Sequence, residues 1–418
     1  MKKVILLLAA IILGYANTNA QSCLSQGIIF SAQVQIDSFQ THYPGCTEIE
    51  GDVTINGSNI TNLHGLSVIT YIGGDLTIGD CWYSNPLLTS LTGLENLTSI
   101  GDYFGFGTGY GNLEIIGNQA LTNLNGLEGL ISIGGDLIIG SVGMFTSCGN
   151  PMLTSLTGLE SLTSIRGSVE IVGNDSLINL AGLDNLTSIG DFFPPVFGFG
   201  NLAIMGNPAL INLSGLDSLT SIYGNLTISY NNVLTSLTGL GNLDTIGDLT
   251  ISYNNALTSL TGLENLDAIG NLRISGNSAL TSLTGLGNLN TIGGGLYIGN
   301  WDNNLGGNHA LISLSGLDSL TSIGGDLRIS SNNALTSLTG LGNLSTIGGG
   351  LYIGKWDNNS GGNPALINLS GLDSLTSTGG DLRISSNNAL TSLTGLGNLH
   401  TIGGGLYIGK WDNNSGGN

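Results

Sequence analysis

The stretch "LTSLTGLENLDAIGNLRISGNSA", residues 257–279, places Leu257, Leu260, Leu263, Leu266, Ile269, Leu272 and Ile274 at five steps of three followed by a step of two. A step of three is too tight to follow one face of a 3.6-residue helix, and the intervening Thr, Gly and Asn are poor helix formers. The closing step, Leu272-Arg273-Ile274, is the strand period, with its middle residue turned outward. Each unit therefore reads as a coil with one short strand on Leu-x-Ile and two or three extended or turn segments, all directing Leu and Ile inward. A single coil cannot bury that face alone and needs neighbours stacked on it.

The unit recurs. Thirteen Gly-Leu pairs, from Gly65 through Gly262 to Gly395, mark a period of 23 or 24 residues, stretched in places to between 28 and 33. A fixed period of this size is the signature of a solenoid. The fold class is thus an all-β repeat, a right-handed parallel β-helix or leucine-rich-repeat-like solenoid of about 13 coils. Two columns accompany the apolar one. Asn stands three residues after the strand Ile in most coils (Asn118, Asn174, Asn207, Asn231, Asn254, Asn277, Asn332, Asn387), and after an insertion the Asn three before the next Leu takes its place (Asn85, Asn150, Asn308, Asn363, Asn418). A buried carboxamide column would satisfy backbone groups from coil to coil, a structural role. The residue before each strand is Asp, Asn or Gly, as at Asp248, Asn271 and Gly295. An Asp column could hold cations, but free exchange among these three types is what a turn with positive φ selects.

The first twenty residues, "MKKVILLLAAIILGYANTNA", carry two lysines, an apolar run too short to span a bilayer, and small or polar residues up to Ala20. That is the layout of a secretory signal peptide. Cys23 follows "NAQS", which does not match the Leu-small-small-Cys pattern of a lipoprotein. Cleavage after Ala20 removes Lys2 and Lys3 and no acid, so six basic side chains face 28 acidic ones and the formal charge moves from −20 to −22. Such a surface repels phosphate backbones and anionic lipid, which excludes nucleic acid and membrane surfaces as expected partners. No later segment is long and apolar enough to insert into a membrane. The expected location is extracellular, secreted or on the outer cell surface.

The segment "CTEIEGDVTINGSNITNLHGLSVITYIGGDLTI", residues 46–78, resembles the opening of the receptor L-domain family, the ligand-binding β-helix of insulin and epidermal growth factor receptors. It is closer still to bacterial secreted proteins with long runs of "LTSLTGLxNLTSIGGDLxI". The resemblance covers residues 23–418 and implies fold more than function, since receptor contacts depend on individual surface residues that do not match here. It implies a cap at residues 21–50 ahead of the solenoid at 51–418. Resemblance and spacing agree in pairing Cys23 with Cys46, which a secreted chain favours. Cys81 and Cys148 lie in insertions at one phase, two coils or about 10 Å apart at strand spacing, which loops could bridge or leave open. The relatives' solenoids close with a Cys-containing cap, often followed by a sorting domain. Neither follows here, and residues 334–363 and 389–418 match at all but Ser345 against His400, so the expectation is a solenoid truncated within a tandem duplication.

Insertions occur at two phases only. One precedes the strand, at 103–111 and 192–200. The other follows it, at 79–84, at 140–149, and in three Trp-Asp-Asn-Asn loops at Trp301, Asp302, Trp356, Asp357, Trp411 and Asp412. Insertions at one phase project from one edge of a solenoid. Trp beside Asp and Asn makes a carbohydrate platform, or the ring simply covers its own loop. The nine-residue Gly-Gly-x-Gly-x-Asp period of calcium-binding repeats is missing. A second candidate surface is the outward strand residue, which from Arg273 runs Arg273, Tyr297, Arg328, Tyr352, Arg383, Tyr407. It is a cation-π ladder offsetting like-charge repulsion, or a protein-recognition face.

The four histidines, His42, His64, His309 and His400, fall at different phases, and no nucleophile elbow, metal-ligand cluster or phosphate loop occurs. The reading is a non-enzymatic adhesive or ligand-binding scaffold without metal or cofactor, its partner an extracellular glycan or protein. The alternative is a structural filament or spacer without a dedicated ligand.

Overall fold

The computed structural model describes residues 21–82, 85–101, 111–141, 148–193, 196–300, 306–354 and 361–409. Within them the chain is an all-β solenoid. Fifteen parallel strands form one long sheet, running from Ile28–Phe30 and Val53–Ile55 through Leu272–Ser275 to Leu406–Ile408. Thirteen of them follow the Gly-Leu pairs; the first two precede any such pair, so the cap region already contributes a strand. Register is residue for residue: Leu249 lies beside Leu272 and Leu272 beside Leu296, while Thr250 lies beside Arg273 and Arg273 beside Tyr297. Core and surface columns therefore run unbroken along the axis.

The steps of three are a succession of tight turns. Leu286 N–H donates to the Leu283 carbonyl at 3.2 Å and Leu289 N–H to the Leu286 carbonyl at 3.0 Å, so each turn returns the next Leu to the interior. All seven apolar residues of the 257–279 coil are buried. Gly285 shows why a glycine recurs in this turn. Its φ is +115°, and a Cβ there would collide with the Leu260 carbonyl of the preceding coil.

All coils but the one at Thr245–Ile246 carry a second strand that the Leu-x-Ile period does not reveal, two residues long and mostly on Ser-Ile or Thr-Ile. These make an eight-stranded sheet ending at Ser221–Ile222 and a six-stranded sheet beginning at Ala268–Ile269. In the coil between them no strand forms; Thr245 makes a single bridge back to Ser221, and Ala268 pairs only forward with Thr291. The interruption falls where the segment joining the two strands shortens, from four steps between Ile222 and Leu226 to three between Ile246 and Leu249.

At the N-terminal end two short helices, Gln33–Asp37 and Phe39–His42, lay Ile36 and Phe39 over the first coils, with Phe39 edge-on to Phe30 at 5.8 Å. The expected pair Cys23 with Cys46 is bonded, and so is the pair left open, Cys81 with Cys148, with Cα atoms 5.7 and 5.2 Å apart. The second pair spans the intervening coil, whose Gly117 N–H donates to the Cys148 carbonyl at 3.0 Å. The insertion at 192–200 brings an antiparallel pair, Asp191–Phe193 with Val196–Phe199, out of the coil.

The Asn column is a buried ladder, with every described member from Asn85 to Asn387 inaccessible to solvent. Asn277 represents it. Its Oδ1 accepts the Asn254 backbone N–H at 3.0 Å, and its Nδ2 donates to the Ile251 carbonyl at 2.9 Å and to Asn308 Oδ1 at 3.3 Å. Asn308 holds the same place after an insertion, so a loop of any length must return to this rung. Asn277→Ala strands the buried Asn254 amide without a partner and removes the side-chain hydrogen bond to the Ile251 carbonyl, and is expected to cost about 2 kcal/mol. Ser278→Ala, one residue on and exposed, should cost less than about 0.5 kcal/mol. Urea unfolding of the two variants followed by circular dichroism checks the contrast.

Candidate ligand-binding surfaces

The outward column of the long sheet assembles as the sequence implies. Arg273 lies over the Tyr297 ring at 5.4 Å, Arg328 between Tyr297 at 5.8 Å and Tyr352 at 5.0 Å, and Arg383 between Tyr352 at 5.8 Å and Tyr407 at 4.7 Å. Each guanidinium also meets a carboxylate: Arg273 with Asp248 at 3.0 Å, Arg328 with Asp326 at 2.7 Å and Arg383 with Asp381 at 2.6 Å. The side chains remain about one-quarter exposed. The column is a flat, internally neutralised face of alternating rings and cations. Burial, then the flanking Asp326 and Asp381, push the Tyr352 hydroxyl pKa up. Further toward the N-terminus the same column carries Glu114, whose pKa is raised by burial and by Asp75.

The Asp, Asn and Gly column before the strand needs a correction. None of its residues has positive φ. The side chains instead form a second ladder at the surface. Asn225 Oδ1 accepts the Asp248 N–H, Asp248 Oδ1 accepts the Asn271 N–H, each at 2.8 Å, and Asn271 Oδ1 accepts the Gly295 N–H at 2.7 Å. Asp and Asn exchange freely because either supplies the same oxygen. Gly enters for another reason. At Gly295, Gly350 and Gly405 the Tyr two residues later folds back across the backbone, and a Cβ would lie 2.5 to 2.7 Å from its ring. The triplets Asp-Leu-Arg and Gly-Leu-Tyr are therefore matched sets, the first pairing a cation with its carboxylate and the second clearing room for a ring.

Trp301, Asp302, Trp356, Asp357, Trp411, Asp412 and Asn418 lie outside the described residues. The edge on which those Trp loops fall in sequence is nevertheless described elsewhere. Trp82 is 82% exposed there, its backbone N–H donating to Asp80 Oδ1 at 2.6 Å. Upstream of the first Trp-Asp loop, the same edge presents Tyr230 and Tyr253, in left-handed backbone at φ +60° and +56°. Their rings stack at 4.7 Å and 8°, and the Tyr253 hydroxyl accepts the Gly306 N–H at 2.9 Å. A left-handed non-glycine residue costs about 1 kcal/mol, and other coils place Gly206, Gly276 or Ser331 here. Sequence reasoning passed over this pair; the signal was the repeated "SYNN" at 229–232 and 252–255, an aromatic in phase with the Trp loops. Among the described residues no three His, Cys, Asp or Glu side chains converge as metal ligands, and the four histidines do not come together as a site.

No family model matches the chain, and no curated protein matches it. Among solved structures it is similar to one described as the crystal structure of a TLR13–ssRNA13 complex, at 16% identity over 87% of this chain and 56% of that one, with a TM-score of 0.21. The chain spans little more than half the length of that neighbour, and so loose a superposition carries no argument about function.

Burial acts to raise the Asp248 pKa, but the Asn271 amides and the Arg273 guanidinium outweigh it and hold the carboxyl below the usual carboxylate range. A folded-state pKa below the unfolded value, about 3.9, means stabilisation that is present above that pH and is lost as pH falls through the folded value. Asp248→Asn keeps the oxygen that accepts the Asn271 amide and removes the ion pair. It is expected to lower stability at pH 7 by less than about 1 kcal/mol, the range for a partly exposed pair, and to flatten the loss of stability between about pH 5 and pH 2. Thermal melts of both proteins across that window test this.

Proposed function

We propose that the protein is an extracellular, non-catalytic adhesive or ligand-binding scaffold of receptor L-domain type, engaging its ligand at the edge that follows the long-sheet strands. The observation that carries this reading is Trp82, a large aromatic side chain held almost fully in solvent on the edge where the other three tryptophans fall in sequence. Aromatic faces beside carboxamides and carboxylates suit sugar rings and their hydroxyls. Two disulfides fit an oxidising, extracellular compartment. The formal charge of −20 weighs against phosphate backbones as ligands. Among the described residues no helix is long and apolar enough to cross a membrane.

Residues 21–418 applied to glycan and protein arrays should give reproducible hits. Replacing Trp301, Trp356 and Trp411 together by Ala should abolish glycan retention with circular dichroism unchanged. Retention that survives the triple substitution removes the Trp row as the site, and arrays without any hit favour a structural filament or spacer.

The Arg and Tyr column supports a second reading, recognition of a protein, because its side chains are ordered by mutual contacts yet still partly exposed. On that reading Arg328→Ala with Tyr352→Ala should weaken any protein partner found on the array at least tenfold by surface plasmon resonance. Unchanged affinity returns the column to a structural role.

A further inference from the structure

We infer that Tyr230 is a stacking site for one ring of a neutral carbohydrate, bound over Gly206, with the buried Gly173 of the next coil closing the far side. The inference rests on the ligand-binding reading above and gives it a residue and a ligand class outside the Trp loops.

The geometry begins with spacing. Tyr230 and Tyr253 occupy the same position in successive coils, and their rings are nearly parallel with centroids 4.7 Å apart. That distance equals the rise between neighbouring strands, about 4.8 Å, so the stack runs along the solenoid axis. Its two ends differ. Toward the C-terminus the Tyr253 ring leans over Gly276, where a Cβ would lie 2.9 Å from two ring carbons, and the Tyr253 hydroxyl is held by the Gly306 amide. That end is filled. Toward the N-terminus the next two coils place Gly206 and Gly173 at the corresponding position. Among the described residues, a Cβ on Gly206 would meet only the Gly173 amide nitrogen, at 4.0 Å, so none of their side chains fills the space beside the outer face of Tyr230. Tyr230 is 53% exposed. The stack thus has two plates of protein and room for a third that the described residues do not supply.

The rim specifies the ligand. Two residues beyond each of these positions stand Asp175, Pro208 and Asn232, all exposed, in a row beside the Gly173, Gly206 and Tyr230 row. Asn232 is oriented by Asn255, whose Nδ2 donates to its Oδ1 at 2.8 Å. An aromatic face edged by a carboxylate and a carboxamide matches a pyranose, which offers a C–H face to the ring and hydroxyls to the rim. The carboxylate and the overall negative charge select a neutral sugar over an acidic one. The left-handed backbone of Tyr230 is a local conflict that glycine would relieve, as it does in the coils on either side of the pair. Retention of an aromatic there is explained by what the ring contacts.

The test uses residues 21–418 and four soluble probes: the hexaoses of β-1,4-glucose, β-1,4-N-acetylglucosamine, β-1,3-glucose and α-1,6-mannose. Binding is followed by isothermal titration calorimetry and by shifts of the Tyr230 ring resonances. At least one probe should bind, Tyr230→Gly should weaken it about tenfold or more, and Tyr230→Phe should stay within about twofold. Tyr230→Gly places in this coil the residue used by its neighbours, so its circular dichroism and melting should match wild type. Tyr230→Ser, which follows Ser331 and Ser386 at the same position of later coils, serves if the glycine variant does not fold. Failure of all four probes to bind at millimolar concentration, or binding equal in wild type and Tyr230→Gly, overturns the inference. Array hits that depend on the Trp loops and not on Tyr230 would overturn it while leaving the scaffold reading intact; arrays empty of any hit would remove both.

Discussion

A buried carboxamide in every coil from Asn85 to Asn387 sets the spacing on which the rest of the molecule depends. The apolar core alone would hold coils together, but dispersion and burial are non-directional and tolerate slippage along the axis. The Asn side chain is directional. It donates to the strand carbonyl of the preceding coil and accepts that coil's Asn amide, as Asn277 does with Ile251 and Asn254, so one residue fixes both the distance and the rotational phase of its neighbour. A coil one residue out of phase would bury unpartnered amides. Insertions are therefore confined to segments that begin and end at fixed rungs, and whatever they display returns at the same angle around the axis.

Surface chemistry follows from that phase-locking. Because Arg273, Tyr297 and Arg328 are forced into one file, the chain must neutralise a stack of cations or interleave it, and it does both. Asp326 sits two residues before Arg328, on the same strand face, and Gly350 sits two before Tyr352 because the ring lies across it. One position serves as ladder rung, counter-ion or clearance according to its neighbour. The acidic side chains in the turns are explained in the same way. Glu264 accepts the N–H of Gly262 at 2.9 Å and Asp318 that of Gly316 at 2.9 Å, so much of the negative charge is tied to capping turn amides.

The solenoid, its core, the Asn ladder and the aromatic-cation file were legible in the sequence because each repeats with the period of the coil and each obeys a simple alternation between inside and outside. The two-residue strands on Ser-Ile and Thr-Ile were not, since a strand so short has no alternation to read and is revealed only by the amide partners of the adjacent coil. The pre-strand column was visible, but its cause was misassigned. Asp, Asn and Gly share a tolerance for positive φ, and only the contacts show that Asp248 and Asn271 act through their oxygens and Gly295 through its missing Cβ. Tyr230 and Tyr253 escaped because a left-handed backbone leaves no mark on a residue that ordinarily avoids it.

The missing rung in the second sheet, where the join between strands shortens after Ile246, makes the rod mechanically uneven. Along one side, fifteen strands are bonded edge to edge without a break, and that side resists extension as a continuous member. Along the other, eight strands and six strands are separate members, the coil between them contributing only a bridge from Thr245 to Ser221 on the eight-stranded side. A bending load that opens this side meets its least resistance at that joint, with the long sheet acting as the leaf of a hinge. A tether pulled from its ends would thus flex about a defined point near the middle of the array, between the half that carries the Cys81–Cys148 staple and the half that carries the Arg and Tyr file.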